Sequence, residues 1–122
     1  MLVVEDEPSV RTLACAVLRA QGYEVLSAAN GQEALRVARA PRETPISLVI
    51  TDVVMPLMGG KSMAESLKIS HPDLPILYTS GFTDDAIAQH GVLEAGIEFL
   101  PKPYTPSALA RKVRGILDAR AV

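Results

Sequence analysis

Short, unbroken apolar runs alternate along the chain with stretches in which apolar residues recur every three or four positions. Leu2-Val3-Val4, the run Leu48-Val49-Ile50-Thr51 and the run Ile76-Leu77-Tyr78-Thr79 are of the first kind. Runs this short and this uniformly apolar predict strands covered on both faces, since a half-exposed strand would alternate polar and apolar residues. Tyr23–Ala28 and Ile97–Leu100 complete a set of five. Between them lie the helical stretches. Val10, Leu13, Ala14, Val17 and Leu18 fall at i, i+3, i+4, i+7 and i+8, one stripe of a helix that Pro8 opens and Gly22 ends. Asn30-Gly31 turns into a second helix over 32–40, which Pro41 stops. Gly59-Gly60 leads into a third over 61–70, with Met63, Ala64 and Leu67 facing inward, and Pro72 and Pro75 break the chain before the fourth strand. Residues 83–90 predict a fourth helix with little apolar stripe. Thr105 caps and Pro106 opens a fifth, whose Leu109, Val113, Ile116 and Leu117 face the core.

Strand and helix thus alternate five times at a spacing of about 25 residues, the βα unit, which requires a parallel sheet with helices on both faces. The expected fold is α/β, a flavodoxin-like doubly wound five-stranded parallel sheet of order 2-1-3-4-5 with five helices. Its strand order reverses between strands 1 and 3, and ligands of such sheets bind at the carboxyl ends of the strands near that point.

Length and charge narrow the class without deciding it. A chain of 122 residues makes one domain, 1–122. A formal net charge of −2 gives no nucleic-acid footprint. The single cysteine excludes an internal disulfide. No apolar stretch approaches the roughly 18 residues of a membrane span and no secretory leader is visible, so the expected setting is a reducing cytoplasm, with no membrane insertion by this domain. The first strand opens at Leu2 and the last helix runs almost to Val122, which suggests a domain excised from a longer protein.

The strand ends carry the chemistry. Strand 1 runs into Glu5-Asp6 and the central strand ends at Asp52, so the fold brings three carboxylates into one crevice. An aspartate at a strand end is by itself a common turn residue. Three acids in a partly desolvated site, however, oppose one another's ionisation unless something neutralises them. A hard divalent cation, Mg²⁺ first, does so with oxygen ligands and commonly shares them with a phosphate. Strand 4 adds the hydroxyl of Ser80 and strand 5 the ammonium of Lys102 at the same edge. Together these describe a phosphoryl site in which Asp52 is the nucleophile, forming an aspartyl phosphate, and catalysis is mainly positioning and charge neutralisation.

At these residues the chain resembles the receiver domain of two-component response regulators. The segments that carry the likeness are Leu2-Val3-Val4-Glu5-Asp6-Glu7-Pro8, Thr51-Asp52-Val53-Val54-Met55-Pro56 with Gly59-Gly60, Thr79-Ser80-Gly81 and Lys102-Pro103. The resemblance implies that Asp52 is the phosphoacceptor, that Asp6 binds Mg²⁺ directly and that Glu5 does so through water, with the backbone carbonyl of Val54 as a further ligand. It also implies that Ser80 and Lys102 bind the phosphoryl group, that Phe99 is the aromatic switch and that the Lys102-Pro103 peptide is cis. The phosphodonor would be a histidine kinase or a histidine phosphotransfer domain. Glu5 stands where aspartate is more usual, and Ser80 where threonine is. Ser80-Gly81-Phe82-Thr83 is most similar to receivers fused to hybrid histidine kinases, whose parent chains can be membrane-anchored.

Two other functions compete. A metal-dependent phosphatase with an aspartate nucleophile, of the haloacid-dehalogenase kind, needs a second acid two residues on, where this chain has Val54. An unphosphorylated docking pseudo-receiver would not need Glu5, Asp6, Asp52, Ser80 and Lys102 together. Cys15 lies off the helix stripe with no motif of a catalytic thiol, and His71 and His90 lack metal-ligand spacing.

Overall fold

The computed structural model describes residues 1–41, 45–53, 60–80 and 98–120. Five strands, β1 (Leu2–Val4), β2 (Leu26–Ala28), β3 (Val49–Asp52), β4 (Ile76–Ser80) and β5 (Glu98–Pro101), form one sheet in the order β2-β1-β3-β4-β5. Every adjacent pair is parallel. The helices are α1 (Pro8–Ala20), α2 (Gly31–Arg39), α3 (Gly60–Ser70) and α4 (Pro106–Arg120). Four helices therefore stand among the described residues, and the expected helix over 83–90 lies outside them.

Alternation along each strand divides the core in two. Leu2, Val4, Val49, Ile76 and Tyr78 point to one face, where α2 supplies Ala34, Leu35 and Ala38 and α3 supplies Met63, Ala64 and Leu67. Val3, Ile50 and Leu77 point to the other, against Ala14, Cys15 and Leu18 of α1 and Leu109, Val113 and Ile116 of α4. All four residues of β3 are buried: Val49 and Ile50 as the apolar run requires, and Thr51 and Asp52 as buried polar groups at its end.

Two local results differ from the sequence expectation. Leu13, placed on the apolar stripe of α1, is 46% exposed, whereas Cys15 is buried at 5%. The helix packs on the sheet beside α4, so its buried face is rotated toward α4 relative to the stripe that periodicity alone selects. The second strand is also shorter than the 23–28 expected, because Gly22 and Tyr23 serve to end α1. Tyr23 N–H donates to the Leu18 carbonyl at 3.2 Å and Gly22 N–H to that of Arg19 at 3.0 Å. This pair of bonds is a Schellman motif, and its left-handed residue is Gly22 at φ +92°. The caps at the other helix starts follow the sequence: Asn30 Oδ1 accepts from Glu33 N–H at 2.8 Å, and Thr105 Oγ1 from Ala108 N–H at 3.1 Å.

Candidate functional site

The register of the two central strands builds the site. β1 pairs with β3 as Leu2 with Val49, Val3 with Ile50 and Val4 with Thr51, so the residues that follow, Glu5 and Asp52, emerge side by side. Asp52 is also the register partner of Thr79 on β4, and Val53 N–H donates to the Thr79 carbonyl at 3.0 Å. The end of the central strand is thereby fixed from both sides. β5 then delivers Lys102, one residue beyond its end.

Glu5 and Asp52 are almost fully buried, at 4% and 6% exposure, and Asp6 is exposed. Lys102 enters this acid pair from β5. Its ammonium donates to Asp52 Oδ2 at 2.9 Å and to Glu5 Oε1. Burial pulls the lysine toward its neutral form, yet the two carboxylates outweigh that and hold the ammonium above its ordinary range. The reverse holds for Glu5. Burial, reinforced by the charge of Asp52 and only partly offset by Lys102, pushes its carboxyl up to about 7. Tyr104, half-buried on the α1/α4 side of the core, has its phenol raised by burial first and then by the charge of Glu5.

The acids are not satisfied by Lys102 alone. Glu5 Oε2 and Asp52 Oδ1 are buried with no hydrogen-bond partner, an arrangement that ordinarily costs the desolvation of each oxygen. One oxygen from each of Glu5, Asp6 and Asp52 lies within 4.8 Å of the others. An all-oxygen donor set with two orphaned buried acceptors fits a hard divalent cation such as Mg²⁺.

The structure therefore brings Glu5, Asp6, Asp52 and Lys102 together. Ser80 ends β4 in register with Pro101, at the same edge of the sheet, and its hydroxyl lies outside the described part of the structure. Val54 lies outside the described residues, as do Gly81, Phe82 and Thr83. Phe99 is half-buried, pairs with Tyr78 and packs against the α2/α3 side of the core. The Lys102–Pro103 peptide bond is cis. Sequence reasoning missed Arg11, whose Nη1 donates to the Glu5 carbonyl at 2.7 Å. A cation in the first turn of a helix, against the helix dipole, is the signal that marks it.

Comparison with known proteins agrees with this geometry. The sequence profile of the response regulator receiver domain matches residues 1–114. Over 118 residues, 97% of the chain, the sequence is 37% identical to the sensor kinase CckA of Brucella abortus (strain 2308), of which the match spans 12%. It is 35% identical over 117 residues, 96% of the chain, to the probable transcriptional regulator ycf27 of Pyropia yezoensis, spanning 46% of that protein. The crystal structure of the receiver domain from hybrid histidine kinase CckA is similar with a TM-score of 0.78 and 39% identity, covering 95% of this chain and 96% of that one. The chain thus spans less than half the length of these two sequence relatives.

Proposed function

The chain belongs to the response regulator receiver family, and on that premise we propose that Asp52 accepts a phosphoryl group from a phosphohistidine and that this modification switches a partner-binding face. The observation that carries the proposal is the placement of Asp52 at the buried end of the central strand, 2.9 Å from the Lys102 ammonium and beside two further acids.

Each residue then has a task. One carboxylate oxygen of Asp52 forms the new bond to phosphorus as the bond from phosphorus to the donor imidazole nitrogen breaks, and the departing imidazole takes up a proton. Lys102, already paired with Asp52, stays beside the carboxylate and offers its charge to the incoming phosphoryl oxygens. Glu5, Asp6 and Asp52, with the backbone carbonyl of Val54, would hold Mg²⁺. When bound, the ion neutralises the acid cluster and the negative charge gathering on the phosphoryl group. Ser80, ending β4 at the same sheet edge, gives its hydroxyl to a phosphoryl oxygen, and Phe99 changes its packing in response. The residues 1–122 act as a single receiver unit that promotes its own phosphorylation and dephosphorylation. The likeness to a hybrid-kinase receiver supports a histidine kinase or a histidine phosphotransfer domain as donor and a longer parent protein in the cytoplasm.

The test is direct. Incubation with Mg²⁺ and acetyl phosphate, followed by intact mass measurement, should show one base-labile phosphoryl group in the wild type and none in Asp52→Asn. Equal labelling of the variant would place the acceptor elsewhere.

A further inference from the structure

Arg11 lies in the first turn of α1, where its own amide makes a helical bond to the Glu7 carbonyl at 3.0 Å. A guanidinium there faces the positive end of the helix dipole, the end that favours acidic side chains. Its position is explained by what it holds. The side chain folds back over the helix start, and Nη1 donates to the Glu5 carbonyl at 2.7 Å in a partly buried, charge-assisted bond. On the other side of the same residue, the Glu5 amide donates to the Ala28 carbonyl at 3.0 Å. Both backbone polar groups of Glu5 are therefore fastened, and Lys102 holds its side chain at Oε1. The peptide unit that Arg11 fastens is the one that leads into Asp6, an exposed residue at the first bend beyond β1.

We infer that Arg11 is a positioning residue for the divalent-cation site. It acts through the Glu5 carbonyl to fix the directions in which the Glu5 and Asp6 carboxylates leave the end of β1. This rests on the reading of Glu5, Asp6 and Asp52 as that site. The guanidinium bonds the Glu5 carbonyl and none of the three carboxylates; its charge alone would repel a cation, so a purely electrostatic role predicts the opposite sign. Removing Arg11 should weaken cation binding because the carboxylates lose their fixed geometry, as commonly happens when the outer partners of metal ligands are removed.

The experiment titrates Mg²⁺ into the wild type, Arg11→Lys, Arg11→Gln and Arg11→Met at a temperature well below their melting points, following backbone amide shifts. Arg11→Met should bind Mg²⁺ about tenfold more weakly. Arg11→Lys and Arg11→Gln, which keep a donor, should recover part of that loss, and they keep the question answerable if Arg11→Met does not fold. Leu18→Ala, which loosens α1 from the core without touching β1's end, should lower stability and leave the Mg²⁺ affinity unchanged. Without metal, the heteronuclear NOE of the Asp6 amide should fall in Arg11→Met and not in Leu18→Ala. Equal or tighter Mg²⁺ binding in all three Arg11 variants overturns the inference while leaving the site intact. A wild type with no saturable Mg²⁺ response overturns the site itself, and the two failures are told apart by that first titration.

Discussion

Lys102 bridges two carboxylates that arrive from different strands, Asp52 at the end of β3 and Glu5 just beyond β1, and its ammonium is mostly buried with 18% of the side chain exposed. Removing one member of a buried charge cluster leaves the others uncompensated. Lys102→Met should therefore cost about 3 kcal/mol in metal-free protein, toward the low end for buried pairs because the lysine is partly exposed, or roughly 10 °C in melting temperature. Saturating Mg²⁺ should restore part of the loss. An unchanged melting temperature in Lys102→Met would mean that the lysine contributes nothing to holding the acids.

Glu5 and Asp6 should respond differently to substitution in the metal-free protein. Glu5 is buried with one orphaned oxygen and its carboxyl is pushed up to about 7, so its ionised form is a burden on the metal-free fold above that pH. Glu5→Gln should accordingly melt higher than the wild type near pH 8 without divalent ions, and gain less from Mg²⁺. Asp6 is exposed, and Asp6→Asn should change metal-free stability by no more than about 0.5 kcal/mol. It should nevertheless lose most of the Mg²⁺-induced stabilisation, which in the wild type reaches about 2.7 kcal/mol at a hundredfold excess over Kd. Thermal melts with and without Mg²⁺ decide it: a full Mg²⁺ shift in Asp6→Asn removes that residue from the site.

The sheet and the ends of its strands were legible because apolar runs, prolines and glycines mark them directly. Asp52 and Lys102 could be placed on one edge before any contact was known, since in a parallel sheet every strand ends on the same side. The facing of α1 was not legible. A helix of five apolar positions at 3.6 periodicity does not say which flank meets a neighbouring helix, and α4 decided between Leu13 and Cys15. The place of Arg11 in the first turn of α1 marks the residue, but its acceptor was not legible, because a carbonyl leaves no trace in side-chain identity. Tyr23, with strand-like composition, was taken by the cap of α1 through its backbone N–H rather than by the sheet.

Alkaline pH should weaken the fold through groups that are buried in their protonated forms. Burial raises the Cys15 thiol above its usual 9.0 and the Tyr78 and Tyr104 phenols above their usual 10.0. For an acid raised in the folded state, the stabilising preference is fully present below the unfolded value and is lost as pH climbs through the folded one. Once Glu5, whose carboxyl is pushed up to about 7, has ionised, melting temperature should hold between about pH 8 and pH 9 and fall beyond it, and Tyr104→Phe should flatten part of that fall. A melting temperature that stays level up to about pH 11 would contradict the burial of these groups.

Two glycines should give effects of opposite sign when replaced by alanine, and for reasons confined to the backbone. A Cβ added at Gly22 or at Gly115 meets nothing within 4 Å, so neither substitution creates a clash. Gly22, however, holds φ at +92° to close the Schellman motif of α1, where an L side chain crowds its own carbonyl; Gly22→Ala should cost about 1 kcal/mol. Gly115 is exposed inside α4, in a conformation alanine adopts readily, and there glycine loses more freedom on folding than alanine does. Gly115→Ala should gain about 0.5–1 kcal/mol. Both positions lie in the α1/α4 layer and outside the acid cluster, so Mg²⁺ affinity should be the same in both variants as in the wild type. Denaturant melts of the two proteins, read together with one Mg²⁺ titration each, check the pair. Loss of stability in Gly115→Ala would show that α4 does not run uninterrupted through that residue.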